Sequence, residues 1–114
     1  MKTILFQLLI SISILSSCSN NEDQKSLKKT TFKVWGNCEM CQNTIQTSLK
    51  TKGINSAIWN VDSKIIAIEY DENEIKEGEL HRLIASEGYD TQLEKGDDFA
   101  YENLHECCKY SRKK

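Results

Sequence analysis

Apolar residues follow two spacings along this chain, and the places where the spacing changes predict where its strands and helices lie. Apolar and polar positions alternate over 31–35, which predicts a half-buried strand. After Cys41 the apolar positions recur at helical spacing, at Ile45 and Leu49. The sequence therefore predicts a strand, a short turn and then a helix with Cys41 on its buried face.

The same two spacings repeat in the middle of the chain. Alternating residues over 54–61 and 64–70, separated by a turn at Asp62, predict a hairpin. Helical spacing over 74–87 and a short apolar stretch over 89–93 predict a second helix and a fourth strand. The order strand, helix, strand, strand, helix, strand predicts an α+β fold, a ferredoxin-like βαββαβ sandwich with an antiparallel four-stranded sheet and both helices on one face.

Residues 96–114 lie beyond the last predicted strand and form a C-terminal tail. A short helix within 97–110, capped by Asp97 or Asp98, would align three side chains on one face: Phe99, Leu104 and Cys108. The basic end from Arg112 onward is expected to fray. The tail therefore adds a short helical segment to the sandwich.

The first residues have the pattern of a secretory signal. Lys2 precedes an apolar run over 4–15, and small residues lead from there to Cys18. The run is too short and too interrupted for a membrane-spanning helix, which needs roughly 18 apolar residues. The four residues that end at Cys18 resemble the lipobox of bacterial lipoproteins, which implies that 1–17 are a removable signal peptide and that Cys18 carries lipid.

Residues 18–30 are too polar to bury a core and are expected to form a flexible tether. A lipidated Cys18 would hold the domain in the cell envelope, anchored to a membrane on its periplasmic face or outer surface. Glu22 and Asp23 resemble the acidic pair that directs some lipoproteins to the outer surface. The sequence thus predicts a membrane partner through the lipid.

Charge and cysteine content narrow the class of function. The chain has 15 basic and 17 acidic residues, a net charge of −2, which gives no basic footprint for nucleic acid. Its cysteines beyond Cys18 form two close pairs, Cys38 with Cys41 and Cys107 with Cys108. A scaffold held together by disulfides usually has cysteines spread along the chain. These close pairs instead indicate a site for metal binding or redox chemistry.

The C-x-x-C pair lies at the predicted strand-to-helix turn, where thiolates are favoured. A thiolate binds soft metals and also attacks disulfides, so position alone leaves both chemistries open. Thioredoxin-like oxidoreductases resemble the chain in placing such a pair at a helix start, but they use a cis-proline beside it, and this chain contains no proline. A thiol-disulfide oxidoreductase and a structural disulfide between Cys38 and Cys41 are the alternatives to a metal site.

Residues 31–95 resemble the heavy-metal-associated domain of copper chaperones, copper-pumping ATPases and periplasmic mercury-binding proteins. The resemblance rests on the cysteine pair and on landmarks around it: Ile45, Leu49, Gly53-Ile54, the strand end from Ile66 to Asp71, and Gly88-Tyr89. It implies a non-enzymatic carrier whose Cys38 and Cys41 bind Cu(I), or another soft ion such as Hg(II) or Zn(II). Its implied partners are a metal-transporting ATPase or another envelope metal-binding protein.

The turn departs from the usual sequence of that family. Trp35-Gly36-Asn37 precedes the pair, where the family typically has Gly-Met-x before the first cysteine, and a methionine, Met40, stands inside it. Met40 would be a third soft ligand or a gap-filling side chain. Tyr89 matches the aromatic residue that bacterial members hold near the metal, or it covers the sheet edge.

The tail carries a second group of soft ligands. His105, Cys107 and Cys108 fall within four residues and are candidate secondary ligands. They would join the ion held by Cys38 and Cys41, form a separate site, or pack as structural residues. His81 is isolated in the second predicted helix and is expected to face solvent.

Overall fold

The computed structural model describes residues 26–114. The predicted signal peptide, Cys18 and most of the predicted tether therefore lie outside the described residues. The elements in chain order are β1 (Leu27–Lys33), α1 (Glu39–Ser48), β2 (Ile54–Trp59), β3 (Ile65–Asp71), α2 (Glu77–Ser86), α3 (Asp98–Glu102) and a single 3₁₀ turn (Glu106–Cys108). None of these helices is long and apolar enough to cross a membrane.

The strands form an antiparallel sheet in the order β1-β3-β2. Ile66 of β3 lies opposite Phe32 of β1 on one side and opposite Trp59 of β2 on the other. These side chains are buried together with Ile45 of α1 and Ile84 of α2. The alternation in the sequence thus predicts the buried face of the sheet correctly, and the two main helices pack on that face as in the ferredoxin-like fold.

The predicted fourth strand is wrong, because the described residues contain a three-stranded sheet. The segment at 89–93 makes one isolated antiparallel bridge, between Thr91 and Val34. The backbone N–H of Thr91 donates to Glu94 O at 2.8 Å, and the Asp90 carboxylate accepts from Gly96 N at 2.7 Å. These bonds turn the chain away from the sheet before a ladder can extend.

The first strand begins earlier and ends earlier than the alternation indicates. β1 starts at Leu27, so residues 27–30, assigned to the tether, pair with β3. Thr30 Oγ1 also donates to Glu77 Oε1 at 2.5 Å, and Ser26 Oγ to Glu72 Oε1 at 2.9 Å. The start of β1 is therefore held by pairing with β3 and by polar side chains, and apolar alternation gives no signal there.

His81 is buried, so its expected exposure to solvent is wrong. Only 1% of the residue is exposed. Its ring stacks on Phe32 with centroids 3.7 Å apart, and Nδ1 lies 2.7 Å from Thr91 Oγ1. The imidazole therefore fills the gap between α2, β1 and the segment where the fourth strand was expected.

We expect acid to destabilise the domain through His81. Burial lowers the pKa of His81, against the opposing effect of Glu77 and Glu94. Since the unfolded side chain titrates near pH 6.5, the unfolded state binds more protons below that pH, and the free energy of unfolding falls as pH drops from about 6.5 towards 5. Denaturant unfolding at several pH values measures this, and His81→Gln should show a flatter profile. An equally steep profile in the variant would exclude His81 as the cause.

The C-terminal tail packs back onto the domain. Asp97 caps the N-terminus of α3, and its Oδ1 accepts from Ala100 N at 2.8 Å, so one of the two predicted caps is used. Phe99 does not share a buried face with Cys108, because it is 80% exposed. The helix ends at Glu102, and the 3₁₀ turn then brings Cys108 inward.

The basic end of the chain is bound rather than frayed. Arg112 Nη2 donates to Asp90 Oδ1 at 2.9 Å, and Nη1 donates to Asp98 Oδ1 at 2.6 Å. Burial would raise the pKa of the Asp90 carboxyl, but the hydrogen bonds from Arg112, Gly96 N and Lys113 N together lower it. A buried carboxylate with this many donors is a fixed attachment point for the tail.

Candidate metal centre

The C-x-x-C pair lies where the chain passes from the sheet into α1. Cys38 is the N-cap residue of the helix and is partly exposed, whereas Cys41 lies in the first turn and is fully buried. Their Sγ atoms are 3.8 Å apart. One thiol therefore faces the surface and the other faces the core, with both sulfurs directed to the same space.

The tail brings a third thiol to this pair. Sγ of Cys108 lies within 4.8 Å of the sulfurs of both Cys38 and Cys41. Cys108 is only 2% exposed. Of the His, Cys, Asp and Glu residues in the described part of the chain, these three form the one group with ligand atoms close enough to hold a metal ion together.

The other two tail candidates lie outside this group. Cys107 is exposed, and its Sγ lies 3.7 Å from Met40 Sδ and 4.0 Å from Cys108 Sγ. His105 is exposed and forms the N-cap of the 3₁₀ turn. The structure thus separates Cys108 from its neighbours in the sequence cluster.

The local electrostatics differ between the thiols of Cys38 and Cys108. The backbone N–H of Cys41 lowers the pKa of the Cys38 thiol, burial opposes this, and the N–H of Met40 adds to the lowering. Burial raises the pKa of Cys108 above its usual range, and the neighbouring Cys41 raises it further. Cys38 is therefore the thiol that ionises most readily of the two, which suits it to first contact with an arriving cation.

The Tyr89 hydroxyl is a buried polar group beside the thiols. It has no nitrogen or oxygen partner within the described residues. Burial raises its pKa, and the nearby thiols of Cys41 and Cys108 raise it further. The hydroxyl is therefore a neutral donor next to the sulfurs.

Trp59 packs against the backbone of the turn at Gly36. A Cβ added to Gly36 would come within 2.9 Å of Trp59 Cη2, so the ring lies directly against the loop backbone. Its Nε1 donates to Val34 O at 3.1 Å and to Lys64 O at 3.2 Å. Trp59 was predicted only as a buried strand residue, and its contact with the loop has no local sequence signal.

Asn37 joins the turn to the tail. Its backbone N–H donates to Cys41 Sγ at 3.4 Å, and its Nδ2 donates to Cys107 O at 3.3 Å. The Cys38 thiol also approaches Cys107 O, at 3.6 Å. Asn37 therefore contacts both the cysteine pair and the tail.

The heavy-metal-associated domain profile matches residues 31–90, which is more than half of the chain. The chain therefore belongs to the heavy-metal-associated domain family. Members of this family are metal-binding carriers, so the prediction that the chain is not an enzyme is confirmed.

Three individual proteins illustrate the likeness. A copper chaperone, CopZ of Staphylococcus haemolyticus, is 30% identical over 56 residues, which cover 48% of this chain and 82% of the chaperone. The N-terminal domain of a potential copper-translocating P-type ATPase from Bacillus subtilis, solved in its Cu(I)-loaded state, superposes with a TM-score of 0.56 at 27% identity, covering 63% of this chain and 92% of that one. Oxidised MerP from Ralstonia metallidurans CH34 also superposes with a TM-score of 0.56. Its identity is 19%, and the match covers 59% of this chain and 96% of MerP.

Proposed function

We propose that this protein binds a single soft metal ion, Cu(I), through Cys38 and Cys41, and carries or sequesters it in the cell envelope. The observation that supports this most strongly is the pair of thiols at the start of α1 with sulfurs 3.8 Å apart. Thiolates select soft ions such as Cu(I) over Mg²⁺ and Ca²⁺. Two protein ligands, of which Cys38 is partly exposed, leave room for a partner's thiol, and transfer requires that room.

Copper is favoured over other soft ions by the relatives. The S. haemolyticus relative is a copper chaperone, and the B. subtilis domain is Cu(I)-loaded. The likeness to MerP, at 19% identity, shows the fold alone and gives no argument for mercury. A partner of the same fold, such as the N-terminal domain of a copper-transporting ATPase, would receive the ion by exchange of thiolates.

The envelope location rests on the N-terminal sequence. We infer that residues 1–17 are a signal peptide, that Cys18 carries lipid and that residues following it tether the metal-binding domain to a membrane. A lipid anchor would keep the carrier close to a membrane-embedded transporter. Closeness to the transporter is the advantage that an anchor would give to a small carrier.

The test is a competition titration of the full chain, reduced and held in mild detergent so that lipid does not interfere. Cu(I) is added against a chromogenic chelator of known affinity, and Zn(II) is titrated in parallel. We expect one Cu(I) per chain, bound tightly enough to withdraw it from the chelator, and weaker Zn(II) binding. No withdrawal of Cu(I), or preference for Zn(II), would refute the proposal.

The same preparation tests the redox alternative. We expect no catalytic turnover in a disulfide-reduction assay, because the chain contains no proline that could form the cis peptide of thioredoxin-like oxidoreductases beside the cysteine pair. Turnover that disappears in Cys38→Ser would favour an oxidoreductase.

A further inference from the structure

We propose that Cys108 is a third thiolate ligand, so that the C-terminal tail closes the metal site and slows release of the ion. The inference rests on the proposed function, since it concerns the same ion. It assigns to the tail a regulatory role: the tail occupies the coordination position that a partner's thiol would otherwise take. The site then stores the ion until the tail is displaced.

The sulfur geometry fits three ligands better than two. With a metal–thiolate bond of about 2.3 Å, sulfurs lie about 4.6 Å apart across a linear two-ligand site and about 4.0 Å apart in a trigonal one. Cys38 and Cys41 are 3.8 Å apart, and Cys108 lies within 4.8 Å of both. The spacing of the first two sulfurs is therefore already close to the trigonal value, and Cys108 needs to move inward by at most about 0.8 Å, whereas a linear site would push the first two sulfurs apart by about 0.8 Å.

The tail is fixed at several points, so the approach of Cys108 is not a chance contact. The hydroxyl of Tyr110 donates to Gly88 O at 2.6 Å and accepts from Asp90 N at 2.8 Å. Arg112 binds Asp90 just beyond it. These attachments lie on the C-terminal side of Cys108, and α3 holds the other side.

The close packing at Gly88 also indicates that the tail is fixed against the domain. Gly88 has φ of +97°, and a Cβ there would come within 2.6 Å of Tyr101 N. The end of α2 and the tail helix thus touch backbone to backbone. This backbone contact fixes the position of the tail against the domain.

Tyr89 supplies a second, independent observation. Its buried hydroxyl has no nitrogen or oxygen partner in the part of the chain that the structure describes, and it lies beside the thiols of Cys41 and Cys108. A buried O–H left unpaired is costly. A metal-bound thiolate is a better acceptor than a thiol, so the hydroxyl gains its partner when Cys41 and Cys108 both bind the ion.

Cys107 provides a matched control, because it is the adjacent cysteine and its sulfur lies outside the group. In the full chain, reduced and in detergent, we expect Cys108→Ser to weaken Cu(I) binding at least about 10-fold, the lower end of what even indirect partners of a metal site contribute. Cys107→Ser should bind as the parent does. X-ray absorption should count three sulfurs around Cu(I) in the parent and two in Cys108→Ser.

A second variant keeps every thiol and loosens the tail. Arg112→Ala removes the contacts with Asp90 and Asp98, and we expect it to release Cu(I) to the chelator faster than the parent. Lys114→Ala, at the exposed end of the chain, should not. The parent's release rate should also be slower than that of Cys108→Ser.

The outcomes separate this inference from the proposed function. Two sulfurs around Cu(I) in the parent, or unchanged affinity in Cys108→Ser while Cys38→Ser loses the ion, would overturn the third ligand and leave the proposed function standing. If Cys38→Ser also binds Cu(I) as the parent does, the proposed function fails with it. The sulfur count of the parent decides the matter even if Cys108→Ser does not fold.

Discussion

Replacing either cysteine of the C-x-x-C pair should remove most of the affinity for Cu(I). We expect Cys38→Ser and Cys41→Ser each to weaken binding by about 100-fold or more, which corresponds to roughly 2.7 kcal/mol. A serine hydroxyl remains protonated at neutral pH and is a hard ligand, so it does not replace a thiolate for a soft ion. Competition with a chromogenic Cu(I) chelator measures the loss.

The two substitutions should differ in their effect on folding. Cys41 is fully buried and accepts a hydrogen bond from Asn37 N, whereas Cys38 is partly exposed. Cys38→Ser should therefore unfold at nearly the parent's denaturant concentration, which makes it the cleaner test. Affinity equal to the parent's in Cys38→Ser would show that the assigned ligand is wrong.

Removing the indole of Trp59 should cost the domain a large part of its stability. A buried Trp→Ala change typically lowers the free energy of unfolding by about 3–5 kcal/mol, a large part of the 5–15 kcal/mol that a domain usually has. Trp59 is fully buried, contacts the loop at Gly36 and satisfies the carbonyls of Val34 and Lys64. Its loss should loosen both the sheet and the metal-binding turn.

Trp35 offers the matched control, because it is the chain's other tryptophan and is only partly buried. Trp35→Ala should lower the free energy of unfolding by about 1 kcal/mol, the usual size for a substitution without a large cavity. Denaturant unfolding followed by far-ultraviolet circular dichroism compares the two variants. Equal losses would mean that Trp59 has no special part in supporting the turn.

The sequence predicts the sheet and the main helices because their periodicity is local. Alternation marks Ile66, Ile68 and Tyr70 as the buried face of β3, and all three are buried. The isolation of His81 in its helix predicts exposure to solvent, but the residue is buried. Its position three residues before the buried Ile84 would have placed it on the same helix face.

The fourth strand and the tail could not be predicted in this way. The bonds of Asp90 with Gly96 and Arg112 join residues that no periodic pattern connects. For the same reason the sequence identifies Cys107 and Cys108 as soft ligands but does not distinguish them. Only the direction of the 3₁₀ turn sends Cys108 inward and leaves Cys107 at the surface.

The metal content of the native protein tests the central claim most directly. The chain would be isolated from the envelope of its own cells without exposure to oxidant, and its bound metals measured by mass spectrometry. We predict about one copper per chain, and none in a Cys38→Ser, Cys41→Ser double variant prepared in the same way. A parent without copper, or a double variant that retains it, would contradict the assignment.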